Sequence, residues 1–104
     1  MTVKFKKIMF REDSSVSFHK GSDEFNAYVK ANYIDTGKII SWRREEMLDD
    51  YLLAVEVETV YRDQASIDEA LADPEFKKDA EAMINYNREN LIKFLDSSIT
   101  TSDS

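Results

Sequence analysis

Between Lys38 and Arg62 the chain carries the pattern of a β-hairpin, and that ribbon limits what the remaining residues can become. Its second arm, residues 51–62, is the richest run of β-branched and aromatic residues in the sequence. The first arm, residues 38–47, holds the single tryptophan, Trp42. With Asp49-Asp50 as a tight turn, Trp42 faces Val57, Ile40 faces Thr59 and Arg44 faces Val55. On the other face Arg43 then meets Glu56 and Ser41 meets Glu58, joining opposite charges across the strands. A slip of one residue would set Trp42 against a glutamate. Both positions of a two-residue turn prefer φ > 0, which Asp-Asp does not favour, so a longer loop over residues 47–51 is the alternative. The pairing predicts Ile40, Trp42, Leu53, Val55 and Val57 beneath helices, with Arg43, Glu56 and Glu58 on the opposite side.

Elements on either side must pack against this ribbon. Residues 3–11 alternate as a strand, but the apolar phase moves from Val3 and Phe5 to Ile8 and Phe10. That jump predicts a bulge or sharp twist near Lys6-Lys7. A loop over residues 12–15 follows, and residues 16–19 read as extended. Ser22 has the character of a helix N-cap, with Asp23 and Glu24 well placed against the dipole. Phe25, Tyr28, Val29 and Tyr33 share one helical face, and Gly37 supplies a left-handed stop. Ser66-Ile67-Asp68-Glu69 fits a capping box opening a short helix to Ala72, and Asp73-Pro74 restarts it. Phe76, Ala80, Met83, Ile84, Asn87 and Leu91 track one face of that second helix. Residues 91–95 fit either a helix end or a last strand. The domain is expected over residues 1–96, with 97–104 as a flexible C-terminal tail.

The order strand, helix, strand, strand, helix, strand predicts an α+β fold, the ferredoxin-like split βαβ. In it an antiparallel sheet of order 4-1-3-2 carries both helices on one face, which places Lys4 and Lys6 near Glu56 and Glu58. The opposite face would then show Ile39, Leu52, Ala54 and Val60 among charges, a mixed surface suited to a partner.

Composition excludes several functions. A chain of 104 residues with net charge −7 repels phosphate backbones and anionic membranes, so neither nucleic acid nor membrane is an expected partner. Without cysteine there is no disulfide, thiolate nucleophile or zinc-thiolate site, and a cytoplasmic address is expected. Two glycines leave no phosphate-cradling loop, and the carboxylates show no calcium-loop spacing, so no metal or cofactor is expected.

The segments Asp23-Glu24-Phe25-x-x-Tyr28, Gly37-Lys38-Ile39-Ile40 and Ser66-Ile67-Asp68-Glu69-Ala70-Leu71-Ala72-Asp73-Pro74-Glu75-Phe76 resemble the dimeric α+β barrel superfamily. That group includes stress-responsive barrel proteins, antibiotic-biosynthesis monooxygenases and EthD-like proteins. The resemblance implies a homodimer with two sheets packed face to face, and ligands bound between sheet and helices. Many EthD-like members carry a histidine near the end of the first helix, where this chain has Asn32-Tyr33.

Three sets of residues could carry chemistry. His19, the only imidazole, is either a general base or a plain loop histidine. Trp42, Tyr28, Tyr33, Tyr51 and Tyr61 either wall a ligand pocket or fill the core. Arg43, Glu56 and Glu58 form either an acid–base pocket or a salt-bridge ladder at a dimer face. The reading that follows is a homodimeric barrel binding a small, partly apolar molecule between sheet and helices. Its rivals are a cofactor-independent oxygenase or isomerase acting on a polyketide-like or phenolic substrate, and a structural or protein-interaction module.

Overall fold

The computed structural model describes residues 1–46 and 53–102. Strand β1 (Thr2–Arg11) is followed by helix α1 (Asp23–Val29), which continues as a π-helical turn over Lys30–Ile34. Strands β2 (Ile39–Glu46) and β3 (Ala54–Tyr61) form the hairpin arms, then come α2 (Gln64–Ala72), α3 (Pro74–Glu89) and β4 (Ile92–Ser102). The four strands make one antiparallel sheet of order β2-β3-β1-β4, the order expected of the ferredoxin-like split βαβ. Among the described residues no helix is long and apolar enough to cross a membrane.

β1 lies between β3 and β4 and sets the two faces of the sheet. Val3, Phe5, Lys7, Met9 and Arg11 form one row, with Val3, Met9 and Arg11 buried. Lys4, Lys6, Ile8 and Phe10 form the other. The bulge expected near Lys6-Lys7 is absent, because β1 pairs with β3 in unbroken register from Val3↔Tyr61 to Phe10↔Ala54. The irregularity lies in the partner strand instead. Ile8 faces Asp96 and Met9 faces Phe94, so Leu95 is the extra residue. The apolar phase change in β1 therefore marks no kink. Ile8 and Phe10 serve the outer face, and a lysine occupies an inner position.

The hairpin register is two residues away from the expected one. Trp42 faces Thr59 rather than Val57, Arg44 faces Val57 rather than Val55, and Arg43 meets Glu58 rather than Glu56. An even shift keeps every one of these residues on its expected face. A separate irregularity lies at the far end of the ribbon, between Ile39 and Ser41, where Ile40 is the extra residue. It turns Ile39 into the core at 3% exposure and leaves Ile40 59% exposed, the reverse of the expected assignment of both. The Asp49-Asp50 turn, Tyr51 and Leu52 lie outside the described residues.

Ser22 caps α1 as its sequence suggests, its Oγ accepting from Phe25 N at 3.0 Å. Gly37, at φ 80°, ends the run that follows. The capping box at Ser66 is corrected. Asp63 is the N-cap of α2, and its carboxylate accepts from both Ser66 N and Ser66 Oγ. Asp73 caps α3 ahead of Pro74, accepting from Glu75 N at 2.9 Å. Leu91, at φ 57°, breaks the chain out of α3 into β4. β4 pairs with β1 as far as Thr2↔Ser102, so residues 97–102 are strand where a tail was expected. Their Ser and Thr side chains read as loop composition, but the ladder to β1 satisfies their backbone.

The helices cover one face of the sheet through two buried clusters. One joins Val3, Val29, Tyr33, Ile39, Tyr61, Ile67 and Ala70. The other joins Met9, Phe18, Val55, Met83 and Ile92. Between them lies the cleft described next.

Candidate functional site

The segment between β1 and α1 has no regular structure, yet side chains hold it at several points. Phe18 is buried with the Arg11 guanidinium 4.6 Å from its ring centroid and that of Arg44 at 5.8 Å. Arg11 Nη1 donates to Val16 O at 2.8 Å, and Arg44 Nη1 donates to His19 O at 3.0 Å. Tyr86 donates its hydroxyl to Ser17 O, and Asn26 Nδ2 donates to Lys20 O at 3.2 Å. These contacts place His19 beside α3. Its Nε2 stands 3.1 Å from Asp79 Oδ1, and its ring lies 5.8 Å from that of Tyr86. With Nε2–H given to Asp79, Nδ1 is the ring nitrogen left to take a proton.

His19 and Asp79 line the first of three adjoining cavities between sheet and helices. It measures about 340 Å³ and also meets Lys7, Arg44, Trp42 and Phe25. A second, of about 490 Å³, runs beneath α2 and α3 against Phe5, Tyr61, Phe76, Met83 and Phe94. A third, of about 130 Å³, lies against Ile39, Trp42, Thr59 and Tyr61. Lys7, Phe25 and Asp79 belong to all three walls, so the cavities form one cleft centred on them. Its larger parts fall within the range of small-molecule sites, and most of its lining is apolar or aromatic.

Lys7 stands on the inner row of the central strand, flanked by Val57 on β3 and Ser97 on β4. Its Nζ donates to Met83 Sδ at 3.3 Å. Burial pushes the amine below the ordinary lysine range, Asp79 opposes that, and Arg44 reinforces it. Tyr61, on the cleft wall, is pushed up to about 12 by burial.

The other sequence candidates separate. Trp42 reaches the cleft and stays 41% exposed. Tyr28 and Tyr33 donate their hydroxyls to Asp73 Oδ2 at 2.6 and 2.8 Å, which ties the α1 run to the α2–α3 junction. Tyr51 lies outside the described residues. On the outer face of the sheet, Glu58 lies 3.5 Å from Arg43 and 3.9 Å from Lys4, and Glu56 lies 3.0 Å from Lys6. That ladder is on the far side of the sheet from His19. Among the described residues no three His, Cys, Asp or Glu side chains gather as a metal set.

Sequence reasoning did not find Lys7, Asp79 or Arg44. Two of them left a signal. Lys7 interrupts the Val3, Phe5, Met9 row, and Asp79 interrupts the Phe76, Ala80, Met83 face of α3. A charged residue on an apolar stripe points to something that the core does not supply.

No protein-family model matches the chain, and no curated protein matches it. Solved structures do. SnoaB, a cofactor-independent oxygenase from Streptomyces nogalater, superposes with a TM-score of 0.64 at 16% identity, covering 99% of this chain and 94% of SnoaB. A dimeric ferredoxin-like protein from an uncultured marine organism gives 0.63 at 8% identity, covering 99% and 96% of the two chains. An EthD family protein of Bacillus halodurans gives 0.59 at 13% identity, covering 98% and 99%. At these identities the likeness is one of fold. The chain shares a ferredoxin-like α+β fold with these proteins.

Proposed function

We propose that this chain is the subunit of a homodimeric barrel that binds a small, partly apolar molecule in the cleft between sheet and helices. The observation that carries the reading is the cleft itself, where three cavities meet at Lys7, Phe25 and Asp79 under aromatic walls. A cleft of this size, with apolar and aromatic walls and convergent polar groups, is the usual form of a ligand site. The fold likeness to SnoaB, described as an oxygenase, is consistent with a site on this architecture.

A second reading, a cofactor-independent oxygenase or isomerase acting on a phenolic or polyketide-like substrate, draws on the His19–Asp79 pair. Asp79 fixes the ring through Nε2, and Nδ1 would take a proton from an acidic hydroxyl or carbon. Arg44 holds the backbone on which the imidazole stands.

Trp42, as the only tryptophan and a wall of the cleft, reports on both readings. Its fluorescence should change saturably on titration with naphthalene-sized aromatic compounds. No response from any such compound would refute the binding reading. For the enzyme reading, His19→Ala should leave binding within about threefold and lower turnover by about 10²-fold or more. Unchanged turnover would remove His19 from the chemistry.

A further inference from the structure

We infer that the ligand of this cleft is an organic acid bound as its anion, a flat or apolar body with one carboxylate-like head group seated on Lys7. The inference rests on the binding reading above and names the class of molecule the site takes.

Lys7 is held where a lysine has least reason to be. It projects from the inner row of the central strand, with a strand on either side, into a cleft walled by Phe5, Phe25, Trp42 and Met83. An ammonium group has three donors, and a thioether is a weak acceptor. Met83 Sδ is the acceptor that Lys7 reaches among the described residues. Elsewhere Lys4, Lys6, Lys30, Lys38 and Lys93 each have a carboxylate oxygen within ion-pair distance. Those five lysines thus have a carboxylate at ion-pair distance, whereas Lys7 contacts a sulfur and has Asp79 as a carboxylate neighbour farther off.

Charge around the cleft runs against that of the molecule. The chain carries a net −7, yet Lys7, Lys20 and Arg44 line the first cavity with Asp79 as its one carboxylate. Lys7 and Lys77 line the second, again with Asp79 alone. That carboxylate already faces the His19 imidazole at 3.1 Å. A cation desolvated among aromatic rings is costly unless an anion completes it, and an acidic ligand would supply the missing partner. Acceptor-rich head groups suit the unspent Lys7 donors, and the rings of Phe25, Phe76 and Trp42 suit a flat body.

The test uses two probes of one shape, 2-naphthoate and 2-naphthamide, titrated against the intact chain at neutral pH with Trp42 fluorescence as readout. Naphthoate should bind about tenfold or more tightly than the amide, the discrimination expected of a charge-assisted hydrogen bond. Lys7→Met should bring the ratio close to one, Lys7→Arg should restore a preference, and the remote Lys93→Met should leave it unchanged. Equal binding of both probes to the unaltered protein would overturn the inference while leaving the cleft as a site, and it requires no variant to fold. A preference surviving in Lys7→Met would overturn it as well. Binding of neither probe would remove the inference together with the reading on which it rests.

Discussion

Gly21 shows how closely the loop before α1 is fitted to the candidate site. It sits at φ +77°, and an added Cβ would lie 3.3 Å from Asn26 Oδ1, Asp79 Oδ1 and Phe25 Cδ2. Gly37 has a similar backbone, φ +80°, but a Cβ there meets nothing within 4 Å. The pair separates backbone strain from site damage. Gly37→Ala should cost about 1 kcal/mol of stability and leave ligand binding unchanged. Gly21→Ala should cost at least as much and also weaken binding, since Asp79 must yield and with it the His19 contact. Urea unfolding and Trp42 titration of both variants check this, and equal effects on binding would contradict it. At this scale the sequence exposes rare residues more readily than partnerships. His19 and Trp42 stood out because each is the only one of its kind. The importance of Asp79 depends on a contact spanning 60 positions, which no local pattern carries. Spacing alone also could not distinguish a tyrosine that walls the cleft, Tyr61, from two whose hydroxyls go to Asp73.

At the scale of elements, α2 and α3 both begin on a carboxylate, and that makes their docking sensitive to acid. Asp73 is the more connected. Burial pushes its carboxyl up, but Tyr28, Tyr33 and the Glu75 amide together outweigh that and hold it below the ordinary aspartate range. Asp63 is held low by the Ser66 hydroxyl and amide. A carboxylate lowered in the folded state contributes stability that is full above its unfolded value, about 3.9, and disappears as pH falls through the folded value. Tm should therefore fall on acidification below about pH 5, where the unfolded chain takes up more protons than the folded one. Asp73→Asn keeps a capping oxygen but does not titrate, so its Tm should fall less steeply over the same interval. Parallel curves for the two proteins would show that Asp73 contributes nothing to the acid response. Strand alternation and the Ser22 and Asp73 caps made most element starts legible. What stayed hidden were the single-residue irregularities at Ile40 and Leu95, because an extra residue is set by twist and neighbouring strands rather than by composition. The second half of β4 was hidden for a related reason, since Ser97-Ser98-Ile99-Thr100-Thr101 becomes strand only once β1 is there to pair with it.

For the whole molecule, the proposed homodimer turns on the outer face of the sheet. Ile8, Phe10, Ala54 and Val60 lie there beside the Lys6–Glu56 and Lys4–Glu58–Arg43 contacts. A sheet covered by helices on one side leaves such a face exposed in a lone subunit, and a second copy would cover it with the same residues related by a twofold axis. Val60→Asp is a selective test because Val60 pairs with Lys4 across β1 and β3. In the single subunit the new carboxylate has a cation opposite and costs little. In a face-to-face dimer it would be desolvated against the partner sheet, which costs far more. Light scattering should give twice the 12.1 kDa chain mass for the unaltered protein and the single mass for Val60→Asp. The cleft opens on the other side of the sheet, so naphthoate affinity should stay within about twofold in the variant. A single-chain mass for the unaltered protein, or an unchanged mass for the variant, would refute the proposed interface. Loss of affinity together with the dimer would mean that the partner shapes the cleft, and the two faces of the sheet would no longer be separable.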